Sequence, residues 1–166
     1  MNRDEPRCAQ CGEAHPRDEL ELAFRRPDVI AVLTETQRFG QRVRETDDLC
    51  EYAGEFFVRA VLPLPVEGWD EPYCIGLWVK VDRRTFDRVL ELWDDPAQSD
   101  EPPFDAVISN EIPTLPQTVG LRVHLQLTAP TSRPYALVPA CAHPLHREQS
   151  AGITAHRASE YSSLFA

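Results

Sequence analysis

The clearest pattern along the chain is an alternation of apolar residues with polar or small ones between residues 119 and 127. The apolar positions are Val119, Leu121, Val123, Leu125 and Leu127. A period of two residues is typical of a strand with one buried and one wet face. The segment APTSRP then leads to YALVP, so the sequence predicts that the two apolar segments form a β-hairpin.

Two earlier apolar runs lie on either side of Ala53-Gly54 and predict a second hairpin, which ends at Pro63 and Pro65. The next run, YCIGLWVKV from Tyr73 to Val81, is apolar nearly throughout. Strands that are buried on both faces have this composition, so we expect a central strand here. A further short run, FDAVI, is also apolar.

A helix is predicted directly after the central strand, where Asp82 provides an N-cap. Its apolar positions follow the helical spacing i, i+3, i+4 and i+7, and they are Phe86, Val89, Leu90 and Trp93. We therefore expect Trp93 to lie in the core. The acidic, proline-containing segment from Asp94 to Pro103 is predicted to be an exposed loop.

The two ends of the chain give weaker patterns. The apolar patch at 29–33 is compatible with a helix opened by Pro27 or with a strand favoured by its β-branched residues. The segment HPLHREQSAGI predicts a turn of helix, and a short C-terminal helix is expected to start near Thr154.

Antiparallel strands with helices between and after them predict an α+β fold, a single domain with a mainly antiparallel sheet and a few flanking helices. Within residues 1–166 we expect an N-terminal zinc-knuckle-like turn over 1–20, the α+β core over 21–153, and a C-terminal helix or tail over 154–166. A length of 166 residues is sufficient to bury a core without crosslinks. A metal would therefore stabilise one segment locally rather than the fold as a whole.

The net charge of the chain limits the classes of molecule that we expect it to bind. The formal net charge is −10, which repels phosphate backbones and anionic lipid. We therefore expect no nucleic-acid and no membrane partner. The segment MNRDEPRC has no apolar core like that of a signal peptide, so we expect the protein in the cytoplasm. The five cysteines are an odd number, so we expect them to be free thiols or metal ligands rather than a disulfide framework. Cys74 lies within the apolar strand and is expected in the core.

The strongest candidate chemistry is in CAQCGEAH, which places Cys8, Cys11 and His15 in one octet. Two cysteines separated by two residues, with a glycine directly after, can turn back on one zinc ion. A redox pair and a pair with no special role are the alternatives. Redox pairs usually follow a strand at the start of a helix, and no strand is predicted here, so a structural zinc site is favoured.

A structural zinc site needs four ligands, so at least one must come from elsewhere in the chain. Cys50 is the best candidate because it lies at the start of a predicted strand. Cys141 and His143 are the next choice, and whether His15 reaches the ion is left open.

A second group of residues is a candidate ligand or partner site, formed by Trp78, Arg133, His143 and Glu148. His143 and Glu148 can supply a general base, while Arg133 can receive an anionic group. Each has an ordinary structural alternative: Trp78 in the core, Arg133 as a cap of loop carbonyls, and His143 and Glu148 in a solvated turn. His124 and His146 are expected at the surface.

Several motifs resemble, in order, those of a family of small bacterial proteins known only as a domain of unknown function. The motifs are CAQCGEAH, DLCEY, IGLWVKV, LPQTVGL, RPYALVP and AHPLHREQSAGI. The resemblance runs from about Cys8 to Ile153. It implies that Cys8, Cys11, His15 and Cys50 belong to the family pattern, whereas Cys74 and Cys141 do not. The sequence departs from the pattern at 104–106, where the family has a Gly-Trp.

The resemblance implies no activity. The favoured hypothesis is a zinc-stabilised, non-enzymatic binding or adaptor domain whose partner is a protein or a small molecule. The alternatives are a metal-dependent or hydrolytic enzyme that uses His143 and Glu148, and an acidic inhibitor or immunity-type protein that binds a basic partner.

Overall fold

A computed structural model describes residues 7–15 and 19–164. The predicted N-terminal turn over 1–20 and the predicted C-terminal segment over 154–166 include residues that lie outside the described ones. The helices are α1 (Asp28–Ala31), α2 (Glu35–Gly40), α3 (Arg83–Glu91), α4 (Pro144–Ala151) and α5 (Ala155–Ser163), with a 3₁₀ turn at Gln98–Asp100. The strands are β1 (Arg44–Glu45), β2 (Leu49–Tyr52), β3 (Glu55–Leu64), β4 (Tyr73–Val81), β5 (Phe104–Ile108), β6 (Arg122–Gln126) and β7 (Tyr135–Leu137).

The strands follow one another in chain order in one sheet, and each neighbouring pair is antiparallel. The last strand, β7, also pairs with β3 in parallel, through Val61 and Tyr135. This contact closes β3 to β7 into a five-stranded barrel, with β1 and β2 continuing the sheet beyond β3. The predicted α+β class with a mainly antiparallel sheet is confirmed, and its division into three segments stays a prediction.

The barrel interior holds the main apolar core. Alternate residues of β3 and β4 point inward and are fully buried: Val58, Ala60, Leu62, Leu64, Ile75, Leu77 and Val79. The outward face of the same two strands carries a smaller buried cluster of Ile30, Cys50, Phe57 and Trp78. Helix α1 contributes Ile30 to it, so the open segment at 29–33 is helical as far as Ala31, and Val32 is the C-cap.

Both predicted hairpins are confirmed, and β4 has the predicted bounds. Strand β6 is shorter than predicted, because the chain turns before Arg122. Gly120 has a φ of +87°, in the left-handed region, and the Leu121 N–H donates to Thr118 O at 3.0 Å. Val119 is consequently 38 % exposed rather than part of the buried face.

The helix after β4 is confirmed, and the Asp82 side chain accepts a hydrogen bond from the Thr85 N–H at 2.7 Å. The prediction for Trp93 is wrong. The helix ends at Glu91, so Trp93 lies beyond it and is 37 % exposed, while Leu92 is buried instead. In the acidic loop that follows, Gln98 is buried, and its amide donates to Leu92 O at 3.0 Å. Cys74 is half-buried rather than fully in the core.

Candidate metal centre

The segment 7–15 folds into a tight turn that brings its two cysteines together. Arg7 and Ala14 form an antiparallel bridge, and the Cys8 N–H donates to Glu13 O at 2.7 Å. At the tip, the Gly12 N–H donates to Cys8 O at 2.8 Å, and Gly12 itself has a φ of +78°. Glycine adopts this left-handed conformation without steric strain, which explains its place directly after Cys11.

Four side chains from opposite ends of the chain converge at this turn. Cys8, Cys11, His15 and His156 each direct one ligand atom to a common point, and these atoms all lie within 4.8 Å of one another. His15 Nε2 is 3.2 Å from Cys11 Sγ and 3.1 Å from His156 Nδ1, while Cys8 Sγ is 3.5 Å from His156 Nδ1. The group can hold a metal ion.

The spacing of these atoms matches the edges of a tetrahedral zinc site. Zinc binds sulfur at about 2.3 Å and nitrogen at about 2.0–2.1 Å, which places two nitrogens about 3.3 Å apart and a sulfur and a nitrogen about 3.5 Å apart. The distances among the four side chains agree with these values to within a few tenths of an ångström. The donor set of two thiols and two imidazoles is also one that structural zinc sites use.

The turn itself stabilises the thiolate form of Cys8. The Gln10 N–H donates to Cys8 Sγ at 3.3 Å. Hydrogen bonds from the backbone of Cys11 and Gln10 lower the pKa of the Cys8 thiol from 9.0 to about 6. Because a metal binds the thiolate, this backbone arrangement prepares Cys8 as a ligand.

His156 comes from the first turn of α5, which begins after the N-cap Thr154. Its Nδ1 faces the cysteines, and its Nε2 is 3.2 Å from Glu160 Oε1 one turn further along the helix. A carboxylate on the second ring nitrogen fixes the ring orientation and the tautomer of a metal-binding histidine. Cys8 Sγ and His15 Nε2 each contact His156 Nδ1, so the group ties 7–15 to α5.

Sequence reasoning missed His156, and it placed Cys50 in the group instead. Cys50 is 1 % exposed and packs with Ile30, Phe57 and Trp78 in the outer cluster, so its thiol is not part of the four-residue group. Burial raises the pKa of the Cys50 thiol to about 12, which disfavours the thiolate that a metal needs. The alternative donors Cys141 and His143 are also outside the group.

His143 and Glu148 bind different partners rather than sharing a site. His143 is the N-cap of α4, where its Nδ1 accepts from the Leu145 N–H at 3.1 Å, and its Nε2 contacts Pro116 O at 3.1 Å. Glu148 is bound by Arg157 at 3.2 Å and accepts from the Tyr161 hydroxyl at 2.5 Å. Both side chains therefore have structural hydrogen bonds at separate points.

The other two predicted partner-site residues, Trp78 and Arg133, are each close to Arg59. Trp78 is buried, and the Arg59 guanidinium carbon is 5.9 Å from the centre of its ring. Arg133 forms an ion pair with Asp48 at 3.1 Å and lines the same cavity as Arg59. Sequence reasoning did not single out Arg59.

A comparison with protein-family profiles matches residues 7–153 to a family described as "Uncharacterized protein conserved in bacteria (DUF2199)". The chain belongs to this family. The match confirms the predicted resemblance to an uncharacterised bacterial family, and it includes Cys8, Cys11 and His15, whereas His156 follows it by three residues. The cysteine pair as a family motif stays a prediction. Comparisons with curated proteins and with solved structures found no match.

The helices of this family member, within the described residues, include none that is long and apolar enough to cross a membrane.

The different placement of Cys50 and Cys141 predicts a large difference in thiol reactivity. Cys141 is exposed, whereas Cys50 is buried with a pKa raised to about 12. The raised pKa lowers the thiolate fraction of Cys50 at pH 8, and its burial also limits the access of a reagent to the sulfur. In iodoacetamide labelling followed by peptide mass spectrometry, we expect Cys141 to react at least about 100-fold faster than Cys50. Equal rates in the folded protein would contradict the placement of Cys50.

Proposed function

We propose that the chain is a zinc-stabilised, non-enzymatic binding or adaptor domain. The observation that carries the proposal is the convergence of four protein donor atoms, from Cys8, Cys11, His15 and His156. Four ligands complete a tetrahedral zinc shell, whereas a catalytic zinc keeps one position for water or substrate. The arrangement therefore favours a structural ion that fastens the N-terminal turn to α5.

The alternatives have less support from the geometry. The hydrolytic hypothesis needs His143 and Glu148 in one cleft, and both side chains are engaged in separate structural hydrogen bonds. The acidic inhibitor hypothesis rests on the net charge of −10 alone. The proposed partner is a small molecule or a protein, rather than nucleic acid or membrane, and the proposed compartment is the cytoplasm, where free thiols persist.

The metal content of the purified protein tests this proposal. We expect one zinc ion per chain by elemental analysis, and we expect Cys11→Ser to lower the content at least about tenfold after dialysis against a weak chelator, because zinc prefers a thiolate to a hydroxyl. Cys141→Ser is the matched control, since Cys141 is exposed and outside the group, and it should keep one zinc. A wild-type protein without zinc, or a Cys11→Ser protein with full zinc, would reject the proposal.

A further inference from the structure

A cavity of about 350 Å³ lies where β3 and β7 separate, between the N-terminal part of β3, helix α3 and the β6–β7 hairpin loop. Arg59 lines it from β3, Val89 and Trp93 line it from α3 and the residues after it, and Arg133 lines it from the hairpin. This volume is in the range of small-molecule sites. The cavity is distant in sequence from the four residues of the candidate metal centre.

The charge of the cavity is opposite to that of the protein. Among the described residues, its charged lining is formed by Arg59, Arg133 and Asp48, which give a net charge of +1 in a chain of formal charge −10. The two guanidinium groups repel each other, and the proximity of Arg133 adds to burial in lowering the pKa of Arg59. Asp48 accepts a hydrogen bond from Arg133 Nε at 3.1 Å, and the charges of Asp48 and Asp47 act on the pKa of Arg59 in the opposite direction, by raising it.

Arg59 carries a buried donor without an acceptor. Within the described residues, its Nε is the buried side-chain nitrogen or oxygen for which no hydrogen-bond partner is found. Its Nη1 donates to Asp47 O at 3.2 Å, and its guanidinium lies over the ring of Trp78. A buried, unpaired donor on a charged group is costly, so this position favours an added acceptor with negative charge.

The uncharged part of the wall is mixed. Val89 and Leu127 are buried apolar residues, Gln98, Thr131 and Ser132 are polar, and Trp93 is 37 % exposed. An exposed tryptophan beside a cavity provides a flat apolar surface for a ligand. The cavity thus combines two guanidinium groups with a surface suited to a hydrocarbon or aromatic group.

From these observations we infer that the cavity binds a small organic monocarboxylate with an apolar body, with the carboxylate between Arg59 and Arg133 and the body against Trp93. The guanidinium fork matches a carboxylate in shape and charge. The carboxylate of Asp48, which remains beside Arg133, repels a phosphate dianion more than a carboxylate with one charge. The inference rests on the proposed binding role and gives that role a ligand class.

Titration of zinc-loaded, ¹⁵N-labelled protein with phenylacetate, followed by NMR, tests the inference. We expect saturable shifts of the Arg59 and Arg133 Nε–H signals and of the backbone amides of 129–133, with a dissociation constant below about 10 mM. Phenylacetamide, which has the same shape and no charge, and inorganic phosphate should each bind at least about tenfold more weakly. Arg59→Gln and Arg133→Gln should each weaken phenylacetate binding at least about tenfold, because each removes one guanidinium.

Arg122→Gln is the matched control, because Arg122 is an exposed arginine of β6 that does not line the cavity, and it should bind phenylacetate like the wild type. The amide spectrum of each variant shows that it is folded before titration. Absence of saturable shifts, equal binding of phenylacetamide or phosphate, or unchanged binding in both cavity variants would overturn the inference. Zinc content is measured on the same samples, so a failure of this inference is separate from a failure of the zinc proposal.

Discussion

His156→Ala should lower the zinc affinity at least about 100-fold, because it removes one of the four proposed ligands, and loss of even an outer-shell partner costs about 10- to 100-fold. A 100-fold loss at saturating zinc corresponds to about 2.7 kcal/mol of unfolding free energy. For a domain of this length, that lowers the melting temperature by roughly 5–11 °C at the same free zinc. Competition with a chromogenic chelator measures the affinity, and calorimetry measures the melting temperature.

Two control variants make this result specific to His156. His124→Ala removes an exposed histidine of β6, and it should leave zinc affinity and melting temperature near those of the wild type. Cys50→Ala removes the thiol that the sequence favoured as a ligand. It should keep one zinc per chain while lowering stability modestly, because Cys50 packs in the buried outer cluster. Zinc loss in Cys50→Ala with retention in His156→Ala would contradict the assignment.

Asn110→Ala should destabilise the fold by about 2–4 kcal/mol, since several buried polar groups would lose their partners at once. Asn110 is fully buried, and its Oδ1 accepts from the Trp78 N–H at 2.8 Å. Its Nδ2 donates to Arg26 O at 2.8 Å and to Asp28 Oδ1 at 3.0 Å. One amide therefore joins β4 to the segment that leads into α1.

Chemical denaturation of Asn110→Ala and of Gln117→Ala measures this effect. Gln117 is an exposed amide whose side chain bonds only to Val119 O among the described residues, so its removal should cost less than about 0.5 kcal/mol. A similar cost for both variants would show that the Asn110 hydrogen bonds do not join β4 to the segment before α1 as described.

Local patterns predicted the elements well where each element carries its own signal. Strand β4 has its predicted bounds because it is a continuous apolar run, and the hairpin of β2 and β3 follows from apolar runs on either side of Ala53-Gly54. Asp82 is the N-cap of α3 as predicted, because the capping hydrogen bond joins two residues only three positions apart, Asp82 and Thr85. Trp93 was misplaced because the helical spacing continues in the sequence for two residues after the helix has ended.

The features that sequence reasoning could not find depend on distant contacts. Closure of the barrel rests on the pairing of Val61 with Tyr135, for which the short strand β7 gives little local signal. The Cys8–His156 contact spans 148 residues, and nothing near His156 other than the i+4 spacing of Glu160 suggests a ligand. Cys50 had the residue type of a ligand, and its burial became evident only in three dimensions.

Arg59 was overlooked for a related reason. A single arginine in an apolar strand has no local sign of a binding role, and its significance comes from the facing Arg133 and from the unpaired Nε. Arg133 lies in the hairpin loop, 74 residues after Arg59 in the chain.

X-ray absorption spectroscopy of the zinc-loaded protein measures directly which atoms surround the ion, and so tests the four proposed ligands. We predict two sulfur neighbours at about 2.3 Å and two nitrogen neighbours at about 2.0 Å, in agreement with the group of Cys8, Cys11, His15 and His156. A shell of three sulfurs and one nitrogen would instead require a third thiol and would contradict the assignment of His156.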